Sequence, residues 1–132
     1  MATLIYEKKP LERPRDIRLV TLAPASASSD PICCTLQVVS LDAKSSISSY
    51  EALSYCWGSR FRTLPVTCDD ETLFVTPNLL EALRRIRKQD EPRTLWVDVL
   101  CIDQSDLVEL GIQVRQMRDI YAKARRVIVW LG

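Results

Sequence analysis

An α/β fold around a parallel sheet is predicted by the order of the segments from residue 50 onward. Strand-like and helix-like segments alternate there as strand, hairpin, helix, strand, helix and strand. This alternation is typical of right-handed β-α-β crossovers, which join parallel strands. The runs 94–102 and 125–132 are nearly continuously apolar, as strands buried on both faces are. Two strand-like runs upstream, 17–22 and 33–41, predict a β hairpin ahead of the main domain.

The first 49 residues differ in character from the rest of the chain. Residues 1–16 are polar and spotted with proline, which predicts an irregular lead-in. Loops are predicted over 23–31 ("APASASSDP") and over 42–49 ("DAKSSISS"), on either side of the second strand-like run. We therefore expect an N-terminal extension with short strands over 1–49 and a main domain over 50–132.

The main domain begins with "YEALSYCW" at 50–57, which has few charges and suits a central strand. The segment 64–76 follows and predicts a short hairpin that turns at Asp69–Asp70–Glu71 and decorates the domain. A helix is then predicted over 76–92, with Thr76 or Asn78 as its cap and Pro77 in its first turn. Its apolar stripe contains Leu79, Leu80, Leu83 and Ile86.

A longer helix is predicted over about 106–124. Asp106 is a suitable cap, and Gly111 marks either close packing or a weak first turn. Apolar residues recur at steps of three or four and predict one buried face, made of Leu107, Leu110, Val114, Met117, Tyr121 and Ala124.

Composition excludes several classes of function. The chain has 132 residues, which suits one domain, and its net charge of +1 gives no general attraction to nucleic acid or to a membrane. No run reaches the ~20 apolar residues of a membrane helix. Histidine is absent, which removes Ser-His-Asp and Cys-His catalysis, and only three glycines occur, which is too few for a Gly-rich phosphate loop.

The five cysteines carry no metal-binding pattern. Cys33 and Cys34 are adjacent, no C-x-x-C occurs, and the paired spacings that zinc needs are missing. The simplest interpretation is a set of buried free thiols in a reducing compartment. We therefore expect no metal and no disulfide framework.

Candidate site residues lie where the first two strands of the main domain end. In open α/β sheets, ligands bind beyond the carboxyl ends of the strands, and parallel strands bring those ends to one rim. Each residue also has a structural explanation: an aromatic anchor, a glycine turn, a helix cap or a loop hydrogen bond. The candidates are Tyr55, Trp57, Gly58 and Arg60 after the first strand, and Asp103 and Gln104 after the second.

Two further acids are candidates. Asp98 interrupts the apolar run 94–102, so its carboxylate needs a hydrogen bond or an ionic partner such as Arg60, Arg62 or a helix N-terminus. Both a structural network and a functional role stay open for it. Glu109 falls in the first turn of the long helix, where the helix dipole alone explains a carboxylate.

Four separated motifs resemble one known family. "YEALSYCWG", "TPNLLEALRRIR", "LWVDVLCIDQSD" and "QVRQMRDIYAKARRVIVWLG" together resemble the fungal heterokaryon incompatibility (HET) domain, in its order and spacing, from residue 50 to the end. The upstream "IRLVTL…PICCTLQVVSLD" is similar to what commonly precedes that domain. The chain departs from the family at Asp103, where asparagine is usual, and at Leu110, where an arginine usually follows the acid.

The resemblance implies a cytoplasmic fungal protein of non-self recognition and programmed cell-death signalling, acting by partner binding or self-association. HET domains are distantly similar to Toll/interleukin receptor (TIR) domains. That similarity implies a partial doubly wound (TIR/flavodoxin-like) parallel sheet with flanking helices, whose strands are 50–58, 94–104 and 125–131. On this view the chain is truncated after its third parallel strand, and an apolar edge at 127–131 favours self-association.

Two alternatives follow from the same resemblance. Some TIR domains cleave NAD, which makes a TIR-like NAD-hydrolysing enzyme the rival function and NAD its ligand. Their glutamate lies on the helix after the third strand, so Glu109, on the preceding helix, is not its equivalent. A truncated relative without activity is the other alternative. No cofactor is expected under the first hypothesis, and the catalytic residues of the rival stay unknown.

Overall fold

The computed structural model describes residues 4–42, 49–55 and 61–131. Within those residues one seven-stranded mixed sheet is flanked by helices, and the strand order is β5-β4-β2-β1-β6-β3-β7. The strands are β1 (Asp16–Leu22), β2 (Cys33–Ser40), β3 (Glu51–Tyr55), β4 (Leu64–Cys68), β5 (Glu71–Val75), β6 (Arg93–Trp96) and β7 (Arg126–Trp130). The helices are α1 (Leu4–Lys8), α2 (Pro77–Ile86), α3 (Asp98–Cys101) and α4 (Leu107–Lys123).

Three parallel strands form one end of the sheet. β3 lies between β6 and β7 and is parallel to both, with Glu51 beside Leu95 on one side and beside Arg126 on the other. The chain leaves β3, returns in β6 after α2, and returns again in β7 after α4. The predicted β-α-β crossovers are therefore confirmed for this part of the sheet.

The rest of the sheet is mixed, since β2 and β4 are parallel whereas the other pairings are antiparallel, so the prediction of a wholly parallel sheet is wrong here. β1 runs antiparallel both to β2 and to β6, so the N-terminal hairpin continues the same sheet rather than standing ahead of it. Ile17, Leu19 and Val20 are almost fully buried. A strand with both faces buried needs a central place in a sheet, and β6 supplies the neighbour that β1 lacks on its other side.

Residues 4–8 also depart from the prediction, since the expected irregular lead-in begins with helix α1. Ile5 and Tyr6 are buried in the core, and the Tyr6 hydroxyl donates a hydrogen bond of 2.9 Å to the carbonyl of Leu100. Two apolar residues in a polar segment were too weak a periodic signal to indicate a helix.

The predicted strand 94–102 is shorter than expected. β6 ends at Trp96, and Asp98 opens the short helix α3 instead of interrupting a strand. Its Oδ1 accepts a 2.7 Å hydrogen bond from the amide of Val99. Because α3 is itself buried, its residues are as apolar as those of a strand, and an apolar run alone does not separate the two.

The hairpin is as predicted, and the first long helix has the predicted start but ends at Ile86 rather than near residue 92. Asp69 and Asp70 form the turn between β4 and β5 with φ of 49° and 64°, the left-handed angles that a two-residue hairpin turn requires. Thr76 caps α2, where its Oγ1 accepts a 3.3 Å hydrogen bond from the amide of Leu79. Pro77 stands in the first turn of the helix, and its buried residues are Leu79, Leu80, Ala82 and Leu83.

Helix α4 has the predicted extent and the predicted cap, Asp106, but its buried face is different. Leu107 and Val114 are 78% and 53% exposed, whereas Gln113, Gln116 and Ile120 are buried. The predicted face, which included Leu107 and Val114, is therefore wrong at these two positions. No atom lies within 4 Å of a Cβ added at Gly111, so close packing does not explain that glycine.

Two glutamines account for the difference between the predicted and the observed buried face of α4. Gln116 Nε2 donates a 2.6 Å hydrogen bond to the carbonyl of Pro14, and its Oε1 accepts one of 3.3 Å from Arg15. Gln113 Nε2 donates a 3.1 Å hydrogen bond to the carbonyl of Asp16. These carbonyls lie where the chain enters β1; that of Asp16 is buried and that of Pro14 is part-buried, and carbonyls removed from water need donors. Two polar side chains are therefore buried where a helix usually buries apolar ones.

Strand β7 was predicted to be covered on both faces, and this is wrong. Among the described residues it pairs only with β3, at the edge of the sheet. Val127 and Val129, on one face of the strand, are 42% and 61% exposed.

A buried acid ties the amino ends of the three parallel strands together. Glu51 is almost fully buried and makes a two-point ion pair with Arg93, at 2.6 and 3.1 Å, while Arg126 lies 3.5 Å away. Hydrogen bonding to Arg93 holds the pKa of the Glu51 carboxyl below its usual range, against the opposing effect of burial. The three strands thus share one charged junction.

The substitution Gln116→Leu tests which face of α4 is buried. The change removes both hydrogen bonds and leaves the part-buried Pro14 carbonyl without its Gln116 donor, so the free energy of unfolding should fall by about 1–2 kcal/mol in urea. Val114→Ala is the matched control, and its exposed position predicts a change within about 0.5 kcal/mol. The reverse order of the two effects would contradict the observed helix face.

Glu51 predicts a specific dependence of stability on pH. A carboxyl whose pKa is lowered by folding adds stability above its unfolded pKa and loses it as the pH falls through the folded value. The difference in free energy of unfolding between the wild type and Glu51→Gln should therefore be largest near neutral pH and shrink below about pH 4. The exposed Glu81→Gln is the control, and a difference independent of pH would contradict the assignment.

Candidate functional site

The predicted site residues lie at two places around the carboxyl ends of β3 and β6. Tyr55 ends β3, and Asp98 opens α3 directly after β6. Asp103 and Gln104 occupy the loop between α3 and α4, and Glu109 is in the first turn of α4. The other candidates, Trp57, Gly58 and Arg60, lie outside the described residues.

Asp98 lies beside two tyrosines at the junction of β3 and β6. Burial and the nearby Asp98 carboxylate raise the pKa of the Tyr55 phenol well above its usual value, and the same two causes raise the pKa of Tyr121. Tyr121 also packs edge-on against Trp96, with ring centroids 5.7 Å apart. Both phenols keep their protons at neutral pH and can act as hydrogen-bond donors beside the carboxylate.

The loop between α3 and α4 uses its polar side chains largely on itself. Gln104 Nε2 donates to the carbonyl of Asp98 at 3.1 Å. Asp103 Oδ1 accepts hydrogen bonds from the amide and the hydroxyl of Ser105, at 3.1 and 2.7 Å. These contacts fix the loop, and they fit the structural explanations of Asp103 and Gln104 that the sequence left open.

A cavity of about 300 Å³ lies between this loop and the hairpin β4–β5. Its polar lining includes Tyr6, Arg62, Asp103 and Gln104, and Phe74 of β5 contributes an apolar wall. The set offers a phenol, a guanidinium, an amide and a carboxylate, which can bind a small polar ligand.

Glu109 forms a buried ion pair that sequence analysis missed. Arg18 of β1 approaches both of its oxygens, Nη1 at 2.7 Å and Nη2 at 3.0 Å, and Arg18 is 1% exposed. Glu109 Oε2 also accepts a 2.6 Å hydrogen bond from the amide of Asp103. Both carboxylate oxygens are therefore engaged, and Glu109 links β1 to the α3–α4 loop.

Arg18 uses its remaining donors on the backbone. Its Nε donates to the carbonyl of Lys9 at 2.8 Å, and its Nη1 donates to the carbonyl of Cys101 at 3.1 Å. The guanidinium also lies 4.9 Å from the centre of the Tyr6 ring, which is cation–π distance. A lone cation in the apolar run "IRLVTL" was the one sequence signal that could have revealed this network.

Residues 4–42, 49–55 and 61–131 contain neither a metal-binding group nor a membrane-spanning helix. No group of three or more acidic or cysteine side chains there is arranged to hold a metal ion. None of the helices in these ranges is long and apolar enough to cross a membrane. Cys34, Cys68 and Cys101 are buried free thiols, as predicted, whereas Cys33 is exposed.

Comparison with known proteins identifies the family. The family model described as heterokaryon incompatibility protein (HET) matches residues 50–132, well over half of the chain. The chain belongs to the HET family. Heterokaryon incompatibility protein 6, OR allele, of Neurospora crassa is 40% identical over an aligned length of 129, and the match covers 88% of this chain and 18% of that protein. No solved structure matches the chain.

The HET match confirms the resemblance that the four motifs indicated. This chain spans less than a fifth of the length of its Neurospora relative. The matched range contains Glu109 but not Arg18. The buried ion pair therefore joins the HET region to the segment upstream of it.

Glu109→Gln tests this junction. Replacing the carboxylate leaves the buried Arg18 guanidinium without a countercharge, and breaking one partner of such a pair typically costs about 3–5 kcal/mol. The free energy of unfolding in urea should fall by that order, whereas Glu7→Gln, at an exposed position, should change little. In a double-mutant cycle with Arg18→Met, additive losses would contradict a direct interaction.

Proposed function

We propose that this chain serves fungal non-self recognition and programmed cell-death signalling, and that it acts by protein contact. The observation that carries the proposal is the HET match over residues 50–132. The Neurospora relative, whose name is a heterokaryon incompatibility protein, supports it over most of this chain. The buried free thiols of Cys34, Cys68 and Cys101 fit a reducing compartment, so we place the protein in the cytoplasm.

The proposed contact surface is the edge strand β7. Val129 is 61% exposed and Leu131 is 90% exposed, beside backbone groups that pair with no other strand among the described residues. An apolar edge strand is a template for another strand. The same edge on a second copy provides one, because a two-fold axis brings identical strands together antiparallel. We therefore propose self-association through residues 127–131.

We also propose that the parallel strands belong to a doubly wound sheet of the TIR/flavodoxin type. In chain order β3, β6 and β7 are first, second and third, and their order in the sheet is second-first-third. That order begins the flavodoxin-like pattern. Right-handed crossovers in opposite directions would place α2 and α4 on opposite faces. On this proposal, residues 50–132 are the HET domain, and the extension 1–49 adds β1 and β2 to its sheet.

The rival function is a TIR-like enzyme that hydrolyses NAD. It needs a carboxylate free to act on a bound nucleotide, and both oxygens of Glu109 are occupied by Arg18 and by the Asp103 amide. Arg62 and Asp103 line a cavity that could hold part of a ligand, and Tyr55 and Asp98 lie at the neighbouring rim. This arrangement favours the contact function.

Val129→Lys tests the contact surface. The position is exposed, so the circular dichroism spectrum and the melting midpoint should stay near those of the wild type. Sedimentation velocity over a concentration series should show a wild-type dimer and a Val129→Lys monomer, because charged ammonium groups would meet across the paired edges. Phe74→Lys, on the exposed side of the opposite edge strand β5, is the matched control and should still dimerise.

The same variants should separate the two functions in cells. Expression of the wild type in fungal hyphae should reduce viability, and Val129→Lys should not. A wild type that stays monomeric at high concentration would overturn self-association, even if it still reduces viability through another partner. Release of nicotinamide from NAD by the purified wild type would instead support the rival enzyme.

A further inference from the structure

Two buried cysteines lie side by side in neighbouring parallel strands. Cys34 of β2 and Cys68 of β4 are register partners, and they are 6% and 0% exposed. Register partners in a sheet present their side chains on the same face. The neighbouring Cys34 thiol, together with burial, raises the pKa of Cys68 far above its usual value. The Cys34 thiol also donates to the carbonyl of Thr67 at 3.5 Å.

The cysteine pair lies where β2 pairs with β4, which is the shortest strand pairing among β5, β4, β2 and β1. β2 and β4 share two register pairs, Cys33 with Thr67 and Cys34 with Cys68, whereas β1 and β2 share seven. Two backbone hydrogen bonds of 3.0 Å also join these strands, from the amide of Thr67 to the carbonyl of Ile32 and from the amide of Asp69 to the carbonyl of Cys34. The hairpin β4–β5 is thus attached to β2 by a short ladder.

The two thiols differ in their access to solvent. Cys34 lines an open cleft with Lys8, Lys9 and Asp69, whereas Cys68 is fully buried behind it. A small reagent in the cleft therefore meets Cys34 first. Cys68 is placed to react second.

We propose that Cys34 and Cys68 form a reversible disulfide that fastens the hairpin β4–β5 to β2. Neighbouring strands bring the Cα atoms of directly opposed residues within the range that a disulfide spans. The bond would reinforce the pairing of β2 with β4, which has two register pairs. Residues 72–74 of β5 line the 300 Å³ cavity, so the bond would also fix one wall of that cavity.

Hydrogen peroxide is a sufficient oxidant for this step. The Cys34 thiolate attacks one peroxide oxygen, the O–O bond breaks, and the sulfenic acid of Cys34 forms as hydroxide leaves and takes a proton to become water. Cys68 then attacks the sulfenic sulfur, the S–O bond breaks, and a second water leaves with the proton of the Cys68 thiol. Two thiols lose two electrons in total and one peroxide gains them. A dithiol such as dithiothreitol reverses the step by exchange.

The experiment uses the whole chain, treated with hydrogen peroxide under native conditions and then alkylated and digested with trypsin. Trypsin places Cys34 in peptide 19–44 and Cys68 in peptide 63–84. The expected product is the two peptides joined, with a mass equal to their sum less two hydrogens, and it should disappear after dithiothreitol. Cys33→Ser should keep the link, and Cys34→Ser should lose it.

Two further measurements tie the link to the hairpin. The oxidised wild type should melt on the order of 5 °C higher than the reduced form, and the backbone amides of residues 64–75 should exchange several-fold more slowly. If Cys34→Ser does not fold, the wild-type peptide map decides alone. A map in which Cys34 and Cys68 stay free while other cysteines oxidise, or in which Cys33 or Cys56 carries the link, overturns the proposal.

Discussion

The buried guanidinium of Arg18 is the constraint around which much of the fold is arranged. A charge removed from water must be matched by an opposite charge and by hydrogen-bond acceptors. Glu109 supplies the charge, and the carbonyls of Lys9 and Cys101 supply acceptors. These partners come from the N-terminal segment, from the end of α3 and from α4. One side chain therefore fixes how three separate parts of the chain approach β1, and it draws the α3–α4 loop into position through the shared carboxylate.

The second organising feature is the group of three parallel strands. Glu51 joins their amino ends through arginines, while Asp98 and two tyrosines lie near their carboxyl ends. Charged and polar side chains are thus concentrated at both ends of these three strands, and apolar residues lie between them. The small cavity adjoins this rim, but its wall on the other side comes from the β4–β5 hairpin. Its shape depends on how that hairpin is attached to β2, with which it shares only two register pairs.

Features with local causes were predictable from the sequence, and features with distant causes were not. Thr76 and Asp106 cap their helices through neighbouring amides, so their signals lie within a few residues. The buried face of α4 was mispredicted because Gln116 turns inward to donate a hydrogen bond to the carbonyl of Pro14, which is about a hundred residues away in sequence. The candidate site shows the same division. Asp103 and Gln104 were expected directly after a strand, but they follow helix α3, because the apolar run 94–102 is a strand only as far as Trp96. The partner of Glu109 lies in β1, whose pairing with β6 no sequence pattern revealed.

The Arg18–Glu109 pair also has a meaning for how such chains can be recombined. The HET match starts at residue 50, yet the cation that balances a carboxylate inside the match lies 32 residues before it, on the strand that borders β6. An allele exchange with its breakpoint near residue 50 would join this α4 to a foreign upstream segment. Such a hybrid would keep the buried acid Glu109. It would fold stably only if the foreign upstream segment carried a basic residue at the position of Arg18 in β1. Upstream and downstream segments are therefore expected to be inherited as matched pairs.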